Sequence, residues 1–196
     1  MKRRLVVGIS GASGALYGIK MLEVLKDTDI EIHLVVSHAA KGIIRLETDW
    51  TVDHVESLAD YVYEIDNVGA AIASGSFETM GMIVLPCSIK TLSGIANSFN
   101  TNLLIRAADV TLKERRKLVL MVRESPLHRG HLQLMMEATD IGAIISPPIP
   151  SFYNKPKSID DIVVQTVGRG LQFFGINLDL VKRWSWEDGR RGMDLV

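Results

Sequence analysis

Five short apolar runs, at 4–8, 30–36, 81–86, 117–122 and 141–146, punctuate the chain with almost no polar interruption, and they restrict the fold more than any other feature. A strand with one wet face alternates apolar and polar residues, whereas an unbroken run fits a strand covered on both faces, as in a parallel sheet. Parallel strands need long crossovers, and the gaps supply them. Residues 15–25, 38–46, 88–97, 127–138 and 159–174 space their apolar side chains at three and four, which predicts helices between strands. The expected class is α/β, a three-layer αβα arrangement around a flavodoxin-like or Rossmann-like parallel sheet. No internal repeat and no Ser/Pro-rich linker interrupts the pattern, so residues 1–196 are read as one domain with a C-terminal tail from about residue 183.

Composition narrows the partners. The 22 basic and 23 acidic residues nearly cancel, so no global field recommends nucleic acid or an anionic membrane surface. No segment approaches the roughly 20 apolar residues that span a bilayer. The apolar stretch behind the basic N-terminus is too short for a signal peptide, and the single Cys87 suits a reducing compartment, so a cytoplasmic protein is expected. His33, His38, His54, His128 and His131 are dispersed without metal-ligand spacing, and no metal site is expected.

The first apolar run passes directly into G-I-S-G-A-S-G at residues 8–14, followed by a helical pattern. Glycines permit close backbone approach, and a helix start offers N–H groups and partial positive charge to an anion. The stretch fits a ligand-free turn or a phosphate cradle, and its two serines favour the cradle. A dinucleotide fingerprint would need glycine where Ile9 stands, and NAD enzymes place an acid after the second strand, where this chain has Ser37 and His38. Three further segments end at the same carboxyl edge: Ser37-His38, P-C-S-I-K-T at 86–91, and R-E-S-P at 123–126. Ser88 or Thr91 can serve as a helix cap, and Lys90 between them makes a phosphate contact attractive. Arg123 can bind an anion and Glu124 can handle a proton, or the two can form a surface ion pair. Beyond the rigid P-P-I-P segment at 147–150, Tyr153 and Arg169 suggest a second anion clamp. Cys87 has no evident base beside it and reads as a buried structural thiol.

These motifs, G-I-S-G-A-S-G, P-C-S-I-K-T, R-E-S-P-L-H and P-P-I-P-S-F-Y, together resemble the UbiX-type flavin prenyltransferases over nearly the whole chain. The resemblance implies FMN as bound flavin and acceptor, dimethylallyl phosphate as donor, and bond formation at flavin N5 and C6 to give prenyl-FMN for a UbiD-type decarboxylase. It further implies a homododecamer with sites at subunit contacts. Carried over by position, Gly11, Ala12, Ser37, Ser88, Ile89, Lys90, Thr91 and Arg123 contact FMN. Arg106, Lys113, Glu124, Tyr153 and Arg169 surround the prenyl phosphate, Ser13 and Glu47 lie close to the reacting flavin, and Trp184 covers the prenyl group. Of these, Glu47, Lys113, Glu124 and Ser13 are the expected catalytic residues. Loss of phosphate from an allylic carbon leaves a delocalised cation, so basic groups for the anion and aromatic faces for the cation fit this chemistry. Two other readings stay open: an FMN-dependent decarboxylase of the cysteine-decarboxylase type, whose substrate clamp this chain lacks, and a non-catalytic flavin carrier.

Overall fold

The computed structural model describes residues 2–181. Its six strands are β1 (Arg3–Ile9), β2 (Ile30–Val36), β3 (Tyr61–Tyr63), β4 (Gly81–Cys87), β5 (Lys117–Val122) and β6 (Ala143–Ile145). All pairings are parallel, and the order is β3-β2-β1-β4-β5-β6. That order reverses direction between β1 and β4, which makes their carboxyl ends the natural crevice of a doubly wound sheet. The helices are α1 (Ala15–Lys26), α2 (His38–Glu47), α3 (Val52–Glu56), α4 (Ile89–Ala96), α5 (Leu103–Lys113), α6 (Arg129–Asp140) and α7 (Ile159–Gln172).

The chain packs as two compact units divided after Pro148. In the first, alternate residues of β1 serve opposite layers. Ile9 faces α1, which lies so close that a Cβ on Gly18 would stand 2.8 Å from both the Ile9 side chain and the Leu85 carbonyl. Val6, with Met82, Val84, Leu118 and Leu120, faces a core completed by Leu92 and Ile95 of α4 and Leu103 and Leu104 of α5. Each such side chain, fully buried, contributes roughly 1.5–3 kcal/mol relative to exposure. Gly94 allows α4 and α5 to touch, since a Cβ there would lie 2.5 Å from Ile105 Cδ1.

The apolar runs at 30–36 and 117–122 coincide with β2 and β5 to the residue. The sequence reading lacked α3, β3 and α5. The strand β3 has only three residues, while α5 is so rich in apolar residues that it hides its own period. The helix expected over 127–138 begins at Arg129, because Pro126 and His128 form its approach and His128 Nδ1 accepts the Gly130 N–H at 3.0 Å. Cys87 is fully buried, and that burial pushes its thiol up to about 12, consistent with a structural role.

In the second unit, α7 starts with a reciprocal capping box between Ser158 and Asp161. Gly168 packs against the returning chain, where a Cβ would lie 2.4 Å from Val181 Cγ2.

Candidate functional site

Loops leaving the carboxyl ends of parallel strands emerge on one edge, and several here end in capped helix starts. Ser37, after β2, accepts the Ala40 N–H through Oγ at 3.1 Å. Ser88, after β4, accepts the Thr91 N–H at 3.3 Å and donates its hydroxyl to Thr91 Oγ1 at 3.2 Å. Asn102, before α5, accepts the Ile105 N–H at 3.0 Å. All three caps line one cavity of about 350 Å³, together with Gly11, His38, Lys90 and Thr91. Each cap engages one N–H, and a helix start carries further N–H groups without intrahelical partners. Three positive helix ends and one ammonium therefore face a single volume, which favours a phosphate. Serine and threonine hydroxyls suit a polyol, and Ala39, Ile65 and Ile105 add an apolar wall.

The N-terminus of α1 is arranged differently from what the glycine loop suggested. Glu47, the last residue of α2, accepts the N–H groups of Gly14 at 2.8 Å and Ala15 at 3.2 Å. An internal carboxylate thus holds the anion position expected for a ligand. Desolvation opposes the charge on Glu47, but hydrogen bonds from Ser13, Gly14 and Ala15 and the nearby Arg123 charge prevail, holding it below the usual carboxylate range. Arg123 also acts on Tyr17, whose hydroxyl burial pushes upward. Ser13, Glu47 and Arg123 therefore form one polar group beside the glycine loop.

Other expected residues are distributed as follows. Ile89 opens α4 next to the Ser88 cap, and Ala12 is buried in the glycine loop. The Arg123 N–H donates to the Cys87 carbonyl at 3.0 Å, tying the ends of β4 and β5. Exposed Glu124 accepts the N–H of Ser125 at 3.0 Å, so no Arg123–Glu124 ion pair is needed to hold it. Arg106 pairs with Asp109 at 2.9 Å. Lys113 pairs with Glu114 at the far end of α5, about 16 Å along the helix from Asn102. One chain alone therefore does not bring Lys113 to the cavity. In the second unit, Tyr153 sits in a short 3-10 turn, and Arg169 donates to Gln172 Oε1 at 2.9 Å while lying over the Phe173 ring. Trp184 lies outside the described residues.

Sequence reasoning placed His38 at this edge without a role, and it missed Asp66 and Asn102. His38 Nε2 and Asp66 Oδ2 lie 3.0 Å apart in the cavity lining. Asn102 followed by an apolar run was a legible cap signal; Asp66, brought in from beyond β3, had none. Among the described residues no group of three or more His, Cys, Asp or Glu side chains could hold a metal ion.

A doubly wound sheet, a phosphate-favouring cavity at its switch point and no acid directly after β2 define an FMN-type α/β flavoprotein. The family model described as Flavoprotein matches residues 1–169. Flavin prenyltransferase UbiX of Thauera aromatica is 58% identical over 187 residues, covering 95% of this chain and 96% of that protein. The structure of AnUbiX (PadA1) in complex with FMN and dimethylallyl pyrophosphate shares 48% identity and superposes with TM-score 0.93, covering 94% of this chain and 98% of that one. A dodecameric FMN-dependent UbiX-like decarboxylase from Escherichia coli O157:H7 is 46% identical, with TM-score 0.91 over 93% of this chain and 99% of that one. The chain belongs to the UbiX flavin prenyltransferase family.

Proposed function

We propose that the protein transfers the dimethylallyl group of dimethylallyl phosphate to reduced FMN, forming prenyl-FMN for a UbiD-type decarboxylase. The observation that carries this reading is the hydroxyl-lined cavity at the β1/β4 edge, where three helix starts and Lys90 converge, in a chain 58% identical to a flavin prenyltransferase over 95% of its length. The residues present fit FMN: convergent helix starts and Lys90 for its phosphate, Ser37, Ser88 and Thr91 for its polyol, Ile65 and Ile105 for its ring. Gly11, Ala12, Ile89 and Arg123 complete that set. When bound in reduced form, FMN supplies the nucleophilic N5 and C6 positions.

The chain's own residues handle charge and protons. The C–O bond of dimethylallyl phosphate breaks with its electron pair leaving on phosphate. Lys113, Arg106, Arg169 and the Tyr153 hydroxyl stabilise that anion, with Glu124 exchanging its proton. Glu47, kept ionised by Ser13, two backbone N–H groups and Arg123, is an acceptor for a proton released beside the glycine loop. The resemblance assigns the indole of Trp184, outside the described residues, to the developing allylic cation. Arg106 follows Ile105 of the cavity lining, one turn from Asn102, whereas Lys113 stands at the far end of α5, and a neighbouring copy in a homododecamer would deliver it. The E. coli relative's dodecamer supports that assembly. Among the described residues no helix is long and apolar enough to cross a membrane, in keeping with the proposed cytoplasmic setting.

The test is anoxic incubation of the purified protein with reduced FMN and dimethylallyl phosphate, followed by mass analysis of the flavin. A flavin heavier by one five-carbon unit is expected. Unmodified FMN, with a known prenyltransferase active in parallel, would leave only the carrier or decarboxylase readings.

A further inference from the structure

Between the glycine loop and the 86–91 turn stands Ser10, which lines no part of the cavity and is only 1% exposed. Its hydroxyl donates to the Pro86 carbonyl at 2.9 Å and accepts the Ser88 N–H at 2.7 Å, and its own N–H donates to the Pro86 carbonyl at 3.2 Å. These bonds take over where the sheet stops. Direct pairing of β1 with β4 ends at Gly8 opposite Val84, and the register of β4 against β5 shifts between Val84 and Cys87. Pro86 has no N–H to give. The Ser10 hydroxyl thus adds two side-chain bonds to the single backbone bond from Ser10 that joins the loops beyond the ladder. Its partner Ser88 is the residue whose hydroxyl caps α4 and holds Thr91, and both Ser88 and Thr91 line the cavity.

We infer that Ser10 is a positioning residue for flavin binding: it sets the separation of the glycine loop from the start of α4 and thereby tunes FMN affinity without touching FMN. The inference rests on the flavin reading above. A serine needed only for the core would change stability and leave the affinity of the folded protein alone. A positioning serine moves affinity itself, because without its oxygen the part-buried Ser88 N–H loses its partner and must shift to find another.

Ser10→Ala and Ser10→Cys separate these roles, the sulfur being a weaker acceptor in the same place. FMN affinity is read by flavin fluorescence on the folded protein, KM and kcat by prenyl transfer, and folding by urea titration. Ser10→Ala should weaken FMN binding about 10-fold and raise the KM for reduced FMN similarly, with kcat little changed. Ser10→Cys should fall between Ala and the parent, and it carries the test if the Ala variant fails to fold. Parental affinity and KM in either folded variant would overturn the inference, whatever happens to stability. A parent protein that binds no FMN would instead overturn the flavin reading on which the inference depends.

Discussion

Gly11→Ala tests whether the cavity walls are as tightly set as the geometry requires. A Cβ on Gly11 would stand 2.3 Å from the Ala39 Cβ and 3.3 Å from its carbonyl carbon. Ala39 belongs to the first turn of α2 and its methyl cannot rotate away, so relief must come from backbone movement. Reaching 3.4 Å, where ordinary contact begins, separates the glycine loop from α2 by about 1.1 Å. Overpacking of this kind costs about 1–3 kcal/mol, and both displaced segments line the cavity. A misplacement near 1 Å can cost on the order of 100-fold in a positioned reaction. Urea denaturation should show the stability loss, and flavin fluorescence with single-turnover prenyl transfer should show the functional one. Ala39→Gly in the same chain deletes the opposing methyl, at up to about 1 kcal/mol of helix propensity, and should return most of the FMN affinity. Gly11→Ala with parental affinity and turnover, or a double variant no better than the single one, would refute this reasoning.

Three other expectations concern charge. Glu47→Ala should cost about 1–2 kcal/mol in a thermal melt, the worth of a helix N-cap, while Glu47→Gln keeps an oxygen for Gly14 and costs less; both should lose turnover if the carboxylate accepts a proton. Arg169→Ala should retain FMN and lose prenyl transfer, measured by flavin fluorescence and product mass, because the residue belongs to the proposed phosphate clamp; loss of FMN binding would show that assignment to be wrong. Acid should weaken the β1–β3 edge in two stages. Burial holds His33 below its ordinary 6.5 despite its bond to Glu31, so the unfolded chain takes that proton first, and stability present above about 6.5 declines as pH falls through that range. Lys2, then Arg4, hold Glu31 down to about 2, so its contribution is lost only as pH drops from about 4.5 toward 2. Urea midpoints across pH 7.5–5 should fall for the parent and flatten for His33→Phe; a flat parental profile would count against it.

The sheet was legible in the sequence because its central strands are buried on both faces, and such strands write themselves as unbroken runs. The same density concealed α5: in L-L-I-R-A-A-D-V too many positions are apolar for one stripe to stand out. By sequence alone K-E-R-R-K at 113–117 has the pattern of a solvated face, yet Arg116 donates to the carbonyls of Phe77 and Gly75, both at 2.7 Å. The serines at 37 and 88 were legible as polar residues at strand ends, and each proves to be a cap in the cavity lining. Glu47 at the start of α1 depends on a residue 33 positions away, and no local pattern announces such a partner. Lys113 entered through resemblance, and the single chain gives a physical reason for that: α5 carries it away from the cavity.

The Glu47 carboxylate has a consequence for the ligand-free protein. With its own anion at the head of α1, the glycine loop reaches its working shape during folding and waits for nothing. An arriving flavin spends little of its binding free energy on ordering that loop, and a departing one leaves no melted segment behind. A site that releases its product benefits from such constancy, since each turnover ends with the same socket with which it began.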